Sequence, residues 1–305
     1  MNLNDLTIDY LEYCKSNRQL DDLTIKAYRI DLNQFICRFG DIDISCISSN
    51  NIEDYIASLH DKYKPKTVKR KIASYKAFYH YLEYRNHIAR NPFSMIVIKF
   101  REPISLPKTI PLPFIEAILR VAYAEKEHGT TPRKRENSYR DIAMLELLFA
   151  TGIRISELCR LQPESIDIEN RKVFIHGKGS KERILQIGNT SALESLNTYY
   201  NKYNEAIQKS SAFFANKNGT PLSDQAARRI IRRYTELASI NLHITPHMFR
   251  HTFASSLLDA GVDIRYIQEM LGHSSISTTQ IYTHVSLSKQ CEILSTKHPR
   301  NQFNL

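Results

Sequence analysis

Apolar residues recur at three- and four-residue intervals through the first hundred positions, the spacing of helices with one buried stripe. Leu6, Tyr10, Leu11 and Tyr13 mark a helix from Leu3 to Ser16. Tyr28, Ile30, Leu32, Phe35 and Ile36 mark a second, opened by Asp22 or Thr24 and running to about Arg38. Ser49 or Asn50 caps a third, with Ile52, Tyr55, Ile56 and Leu59 on its apolar side. A fourth runs from Lys66 to about Tyr84 through Val68, Ile72, Tyr75, Phe78, Tyr79 and Leu82. Four helices with short connections predict a small bundle over residues 1–98.

The pattern breaks at Asn91-Pro92. Pro103, Pro107, Pro111 and Pro113 then punctuate a basic stretch, so residues 99–112 are expected to be an extended linker. Helical spacing resumes from about Pro113 to Glu127. His128 to Ser138 is polar and rich in turn formers, and is expected to be an exposed loop. Tyr139 to Ala150 is strongly apolar and should be a buried helix. Thr151-Gly152 breaks it, and Arg154 opens another to about Leu161. The period then changes to that of strands. Val173, Phe174 and Ile175, then Ile184, Leu185 and Ile187, predict a hairpin or small antiparallel sheet around Gly177-Lys178-Gly179. Further on come a helix from Ser191 to Gln208, a strand-like run Ala212 to Ala215, a turn at Asn218-Gly219, and a basic helix from Ser223 to about Ser239.

From Thr245 to Thr283 the chain reads TPHMFRHTFASSLLDAGVDIRYIQEMLGHSSISTTQIYT. Thr245-Pro246 reads as a helix start with a capping hydroxyl, and Gly261 as its stop. Asp263 can cap the next helix, which ends at Gly272. A short helix from Ser277 to His284 would carry Tyr282. The fold class expected is mainly α with a small antiparallel β-sheet: a helical bundle followed by an α+β domain over 113–305.

Charge narrows the function. The net charge is +10, which favours an anionic partner, most simply nucleic acid. The basic residues cluster: Lys66, Lys69, Arg70 and Lys76 on the fourth helix, Arg228, Arg229 and Arg232 on the helix after Ser223. These are the candidate DNA contacts, although the fourth helix reads equally well as an exposed amphipathic helix. No apolar run reaches the roughly 20 residues of a membrane span, and the first residues are not those of a secretory signal. The five cysteines form no CxxC pair, which fits a reduced, cytoplasmic setting.

The candidate chemistry lies in Arg154, Lys178, His247, Arg250, His273 and Tyr282. Two arginines match two oxygens of a phosphate. A tyrosine can attack phosphorus once its proton is removed, and a histidine can take that proton. A lysine can protonate the leaving oxygen, and a second histidine can support a non-bridging one. Together these groups permit phosphoryl transfer through a phosphotyrosine without metal or other cofactor. Each residue also has an ordinary structural reading, and Tyr282 is one of 17 tyrosines. His247 and His251 stand at metal-ligand spacing, but the glutamate of an HEXXH site is absent. His251 reads instead as a packing residue or one that supports the site from behind.

On these residues the sequence resembles the tyrosine recombinases of the phage integrase family, and within them the compact Xer type. ATGIRISEL carries the arginine matched by Arg154, HGKGSKERILQI the lysine matched by Lys178, and ITPHMFRHTFAS the pair His247 and Arg250. MLGHSSISTTQIYTHV carries His273 and the nucleophile Tyr282. The resemblance covers nearly the whole chain. It implies a SAM-like core-binding domain and a catalytic domain of the DNA breaking-rejoining type. It implies a homotetramer, or a tetramer with a paralogue, on two duplex sites with short inverted repeats, and exchange through a Holliday junction. Chromosome dimer resolution and integration or excision of a mobile element are the roles implied. A C-terminal helix at about 286–298 would dock into a neighbour through Ile293 and Leu294, or fold back on its own domain. Two other readings remain at this level. One is a topoisomerase-like enzyme that reseals the same strand; the other is a DNA-binding protein without catalysis. Deleting residues 286–305 is expected to separate assembly from single-site cleavage.

Overall fold

The computed structural model describes residues 2–40, 43–97, 108–176, 182–216, 218–272 and 287–303, with the side chains of 287–290 left aside. The chain separates into two compact units, Met1–Ser105 and Leu106–Leu305.

The first unit is four helices: α1 (Leu3–Ser16), α2 (Asp22–Phe39), α3 (Ser49–Lys62) and α4 (Pro65–Tyr84). α1 has the bounds expected from the sequence, and the other starts lie within a residue or so of it; the capping side chains are Asn2, Asp21 and Ser48. Each accepts a bond from the first turn, which satisfies an amide with no helical partner. The core is unusually aromatic: Tyr10, Phe35, Tyr75, Phe78 and Tyr79 are all buried.

One ion cluster pins α4 to α2. Asp31 is fully buried and accepts from Lys71 Nζ at 3.0 Å and from Arg70. Lys71 also bonds Gln34 and lies 4.9 Å from the Tyr63 ring centre. Burying a carboxylate is costly unless it is paired, and these two cations pair it. Arg70, expected as a DNA contact, also has this structural role, with 46% of its side chain still exposed. Lys66, Lys69 and Lys76 remain on the exposed side of α4.

The second unit is built on α5 (Leu112–His128) and α6 (Pro132–Thr151). Two expectations change here. The end of the expected linker is not free chain: Ile110 is buried, and its amide donates to Thr252 Oγ1 at 2.7 Å. The expected loop from His128 to Ser138 is mostly helix. Thr131 caps α6 by accepting from the Lys134 amide, and Pro132 occupies the first turn. The reading missed that a threonine-proline pair starts a helix here as it does at Thr245.

A three-stranded antiparallel sheet follows α7 (Ile155–Cys159), in the order β1 (Ile166–Asp167), β2 (Lys172–His176), β3 (Glu182–Gln186). The two-residue β1 is too short to leave a period in the sequence. Ala212–Ala215 is buried but irregular, with a single bridge from Ala215 to Pro221. The Tyr199 hydroxyl serves its backbone instead, donating to Phe213 O at 3.1 Å and accepting from the Ala215 amide at 3.0 Å.

The unit is completed by α8 (Thr190–Lys209), α9 (Asp224–Leu237), α10 (Pro246–Asp259), α11 (Ile264–Leu271) and α12 (Leu287–Lys297). α12 folds back on its own domain. Ile293 and Leu294 are buried in the core shared with Leu185 and Ile187. This is the packing within a single chain; docking of the same helix into a neighbouring protomer stays a proposal. Among the described residues no helix is long and apolar enough to cross a membrane.

Candidate active site

Two chain reversals converge around one buried arginine. α6 ends at Gly152, which adopts a left-handed conformation (φ 60°) that suits glycine. Two residues on, Arg154 stands just ahead of α7. α11 ends the same way at Gly272 (φ 63°). Between these turns lies Arg250, on α10 and only 5% exposed. It donates to Gly152 O at 2.9 Å and to Leu271 O. One side chain thus ties the turn before Arg154 to the turn before His273. Burial, then the nearby Arg154 and Arg183, lower its pKa to about 10 against the pull of Glu157. At neutral pH it is still a cation.

Glu157 is the counter-charge. Its Oε2 accepts from the Arg154 amide at 3.0 Å, and its Oε1 from Arg154 NH1 at 2.8 Å. Arg183 on β3 donates to both oxygens, at 3.0 and 2.7 Å. Burial would raise the Glu157 pKa, but the bonds from Arg183 and Arg154 outweigh it and hold the carboxyl at about 2. The carboxylate is permanently charged. Three guanidiniums surround it, so the locale retains positive charge for an anionic ligand.

His247 opens α10 and is exposed. Thr245 occupies the capping position and Pro246 follows, but the threonine hydroxyl makes no cap bond. Partial burial lowers the His247 pKa first, then Arg228, His251, Arg250 and Arg154 in turn. These influences favour the neutral ring, the form able to accept a proton. His251 is exposed rather than packed.

Of the candidate residues, the structure brings Arg154, His247 and Arg250 together. Arg228 on α9 joins them electrostatically, while Arg229 is exposed farther along the same helix. Arg232 forms a surface pair with Glu236 at 2.7 Å. Lys178, His273 and Tyr282 lie outside the described residues. Lys178 belongs to the segment 177–181 joining β2 to β3, and His273 follows Gly272 directly. Glu157 and Arg183 were not among the candidates. The signal for Glu157 was its place three residues after Arg154, where an acidic residue reaches back to the helix start. The signal for Arg183 was a charge on the same strand face as the buried Leu185.

Comparison with known proteins decides the family. The profile described as "Phage integrase family" matches residues 124–289. That described as "Phage integrase, N-terminal SAM-like domain" matches residues 8–86. The chain belongs to the phage integrase family. It is a tyrosine recombinase. A tyrosine recombinase of Agathobacter rectalis is 56% identical over 303 residues, 99% of each chain. Tyrosine recombinase XerD of Staphylococcus epidermidis is 35% identical over 305 residues, covering 98% of this chain and 100% of that one. Solved structures share the fold of this recombinase. A lambda integrase dimer bound to a COC' core site superposes with TM-score 0.70 at 16% identity, over 93% of this chain and 100% of that one. The XerH site-specific recombinase bound to palindromic difH substrate, a post-cleavage complex, gives TM-score 0.70 at 19% identity, over 95% and 81%.

Proposed function

We propose that this recombinase cuts and rejoins duplex DNA at a specific site through a 3′-phosphotyrosyl intermediate. The observation that carries the reading is the convergence of Arg154, Arg250 and His247 at one positively charged place. Arg154 has a single side-chain bond to Glu157, and Arg250 spends one donor on each of two carbonyls. Both forks keep N–H groups for two phosphate oxygens.

In this scheme the Tyr282 oxygen attacks the scissile phosphorus as its proton passes to His247. The bond from phosphorus to the 5′-oxygen breaks, and Lys178 protonates that oxygen. His273 supports a non-bridging oxygen. The phosphotyrosine conserves the energy of the broken bond, and a 5′-hydroxyl from a partner duplex reverses the step with a new strand. Four protomers on two inverted-repeat sites, homomeric or with a paralogue, would act in pairs through a Holliday junction in the cytoplasm. The exposed faces of α4 and α9 would follow the phosphate backbone.

The test is covalent capture. A library of nicked duplexes with a randomised core is incubated with the full chain, and protein-linked DNA is recovered from a denaturing gel. The wild type is expected to trap DNA, and Tyr282→Phe to bind the same duplex without trapping it. An adduct of equal yield in Tyr282→Phe would end the proposal.

A second reading has one observation in its favour. With α12 on its own domain, a single protomer could cleave and reseal the same strand. Relaxation of supercoiled plasmid carrying one captured site, with no junction formed on two, would support it.

A further inference from the structure

We propose that Arg183 is a positioning residue of the cleavage step, acting on Arg154 through Glu157 and on the Gly272 turn through the end of α11. The proposal rests on the reading of Arg154 and Arg250 as the phosphate clamp. Arg183 stands on β3 opposite Ile175, with only 13% of its side chain exposed. A guanidinium in that position loses most of its hydration and is kept only if its donors are used. They are used on protein: Nε donates to Met270 O at 3.0 Å, and the two terminal nitrogens donate to the two oxygens of Glu157.

The first consequence concerns Arg154. Both Glu157 oxygens already accept from Arg183, and the fork fixes the plane of the carboxylate. Arg154 can then reach only one oxygen with its side chain, at 2.8 Å. Without Arg183 the carboxylate can rotate into a two-bond pair with Arg154. That pair would turn the Arg154 fork towards Glu157 and away from the orientation it would present to a phosphate.

The second consequence concerns the other end of the site. Met270 O and Leu271 O are consecutive carbonyls at the end of α11. Arg183 holds one and Arg250 the other. Arg183 sits close to Gly272 as well, where an added Cβ would lie 3.0 Å from Arg183 NH1 and require the arginine to shift by a few tenths of an ångström. Arg183 also stands on the strand that follows segment 177–181. One side chain therefore links the strand after Lys178, the carboxylate behind Arg154 and the turn before His273.

A purely structural ion pair would affect melting and leave the chemistry of folded protein unchanged. The experiment uses full-length wild type, Arg183→Gln, Arg183→Lys and Tyr282→Phe. The probe is the duplex most enriched by covalent capture on the wild type. Single-turnover cleavage at saturating protein and the Kd for the duplex are measured below each melting transition. Arg183→Gln is expected to cleave about 100-fold more slowly, the cost of misplacing a catalytic group by about an ångström, with Kd within about twofold. Arg183→Lys is expected to melt near the wild type yet cleave about tenfold more slowly, because one ammonium cannot serve both oxygens and the carbonyl. A folded Arg183→Gln that cleaves within about threefold of the wild type overturns the proposal, as does full activity in Arg183→Lys. So does a Kd that weakens in step with the rate. If Arg183→Gln does not fold, Arg183→Lys decides alone. Failure of the underlying reading is separate: it shows as no adduct with the wild type, or an equal one with Tyr282→Phe.

Discussion

Arg250 donates to the carbonyl of Gly152, so the arginine of α10 is anchored on the glycine that ends α6. That glycine is doubly constrained. Its φ is 60°, and a Cβ there would lie 2.6 Å from the Phe253 ring and 3.0 Å from Leu271 Cδ2. Gly152→Ala therefore combines a strained backbone with overpacking against a buried ring. Each costs about 1–3 kcal/mol, so a urea unfolding curve should move by at least that much. Cleavage should also fall, because the Gly152 carbonyl orients Arg250. A variant with wild-type stability and rate would contradict this account of the turn.

The charges around His247 predict a pH effect of definite sign. Arg228 is the first-ranked charge lowering its pKa, after burial. Removing it in Arg228→Ala should raise the His247 pKa, so the ring is neutral only above a higher pH than in the wild type. The acid limb of the cleavage profile should move upward, and a proton NMR titration of the free protein should show the same direction. An unmoved titration would mean that Arg228 does not reach the ring.

Much of this was legible in the sequence. Helical spacing, the Gly152 and Gly272 stops and the strand alternation located most elements, because each rests on local backbone chemistry. Arg154, His247 and Arg250 were readable as phosphate chemistry. Less accessible were partnerships between distant residues. Arg70 read as a free cation until Asp31, 39 positions earlier, was found beneath it. Arg183 was not singled out, since its partners Glu157 and Met270 come from two other elements. The stretch 132–138 read as a loop because its polar composition outweighed the cap at Thr131.

The C-terminal segment supplies another pH dependence. His298 is fully enclosed, with Nε2 at 2.7 Å from Phe149 O and Nδ1 at 3.0 Å from the Arg300 amide. Those partners assign the proton to Nε2 and leave Nδ1 as acceptor, so a second proton would face an N–H donor. Burial, with Arg300 adding to it, lowers the pKa from 6.5 to about 4, despite the Phe149 carbonyl. Between those values the unfolded chain binds more protons than the folded one. Stability is complete above 6.5 and declines as pH falls towards 4, by up to about 3 kcal/mol. Urea midpoints at pH 7.5 and 5 should show it. His298→Gln should be weaker at pH 7.5 but have a flatter profile; an unchanged slope would remove His298 as the source.

The tail also determines how protomer exchange must be tested. Arg300 donates three bonds to the fully buried Glu146, at 2.8 to 3.1 Å. Deleting residues 286–305 would strand that carboxylate, at a cost of about 3–5 kcal/mol. Only the Tyr123 hydroxyl, at 3.0 Å, would still serve Glu146, so the deletion expected to separate assembly from cleavage would also lower stability and confound the two. A gentler change acts where α12 meets the strand end. A Cβ on Gly188 would lie 2.6 Å from Leu294 Cβ and 2.7 Å from its backbone carbon. The backbone there cannot yield as a flexible side chain can, so Gly188→Ala should loosen α12 while leaving Arg300 on Glu146. Hydrogen exchange should quicken over 287–297 and stay slow over α6. If the folded-back helix restrains assembly, the variant should form more oligomer on two captured sites at equal protein concentration. If the helix serves only its own domain, exchange will quicken and the oligomer yield will not rise.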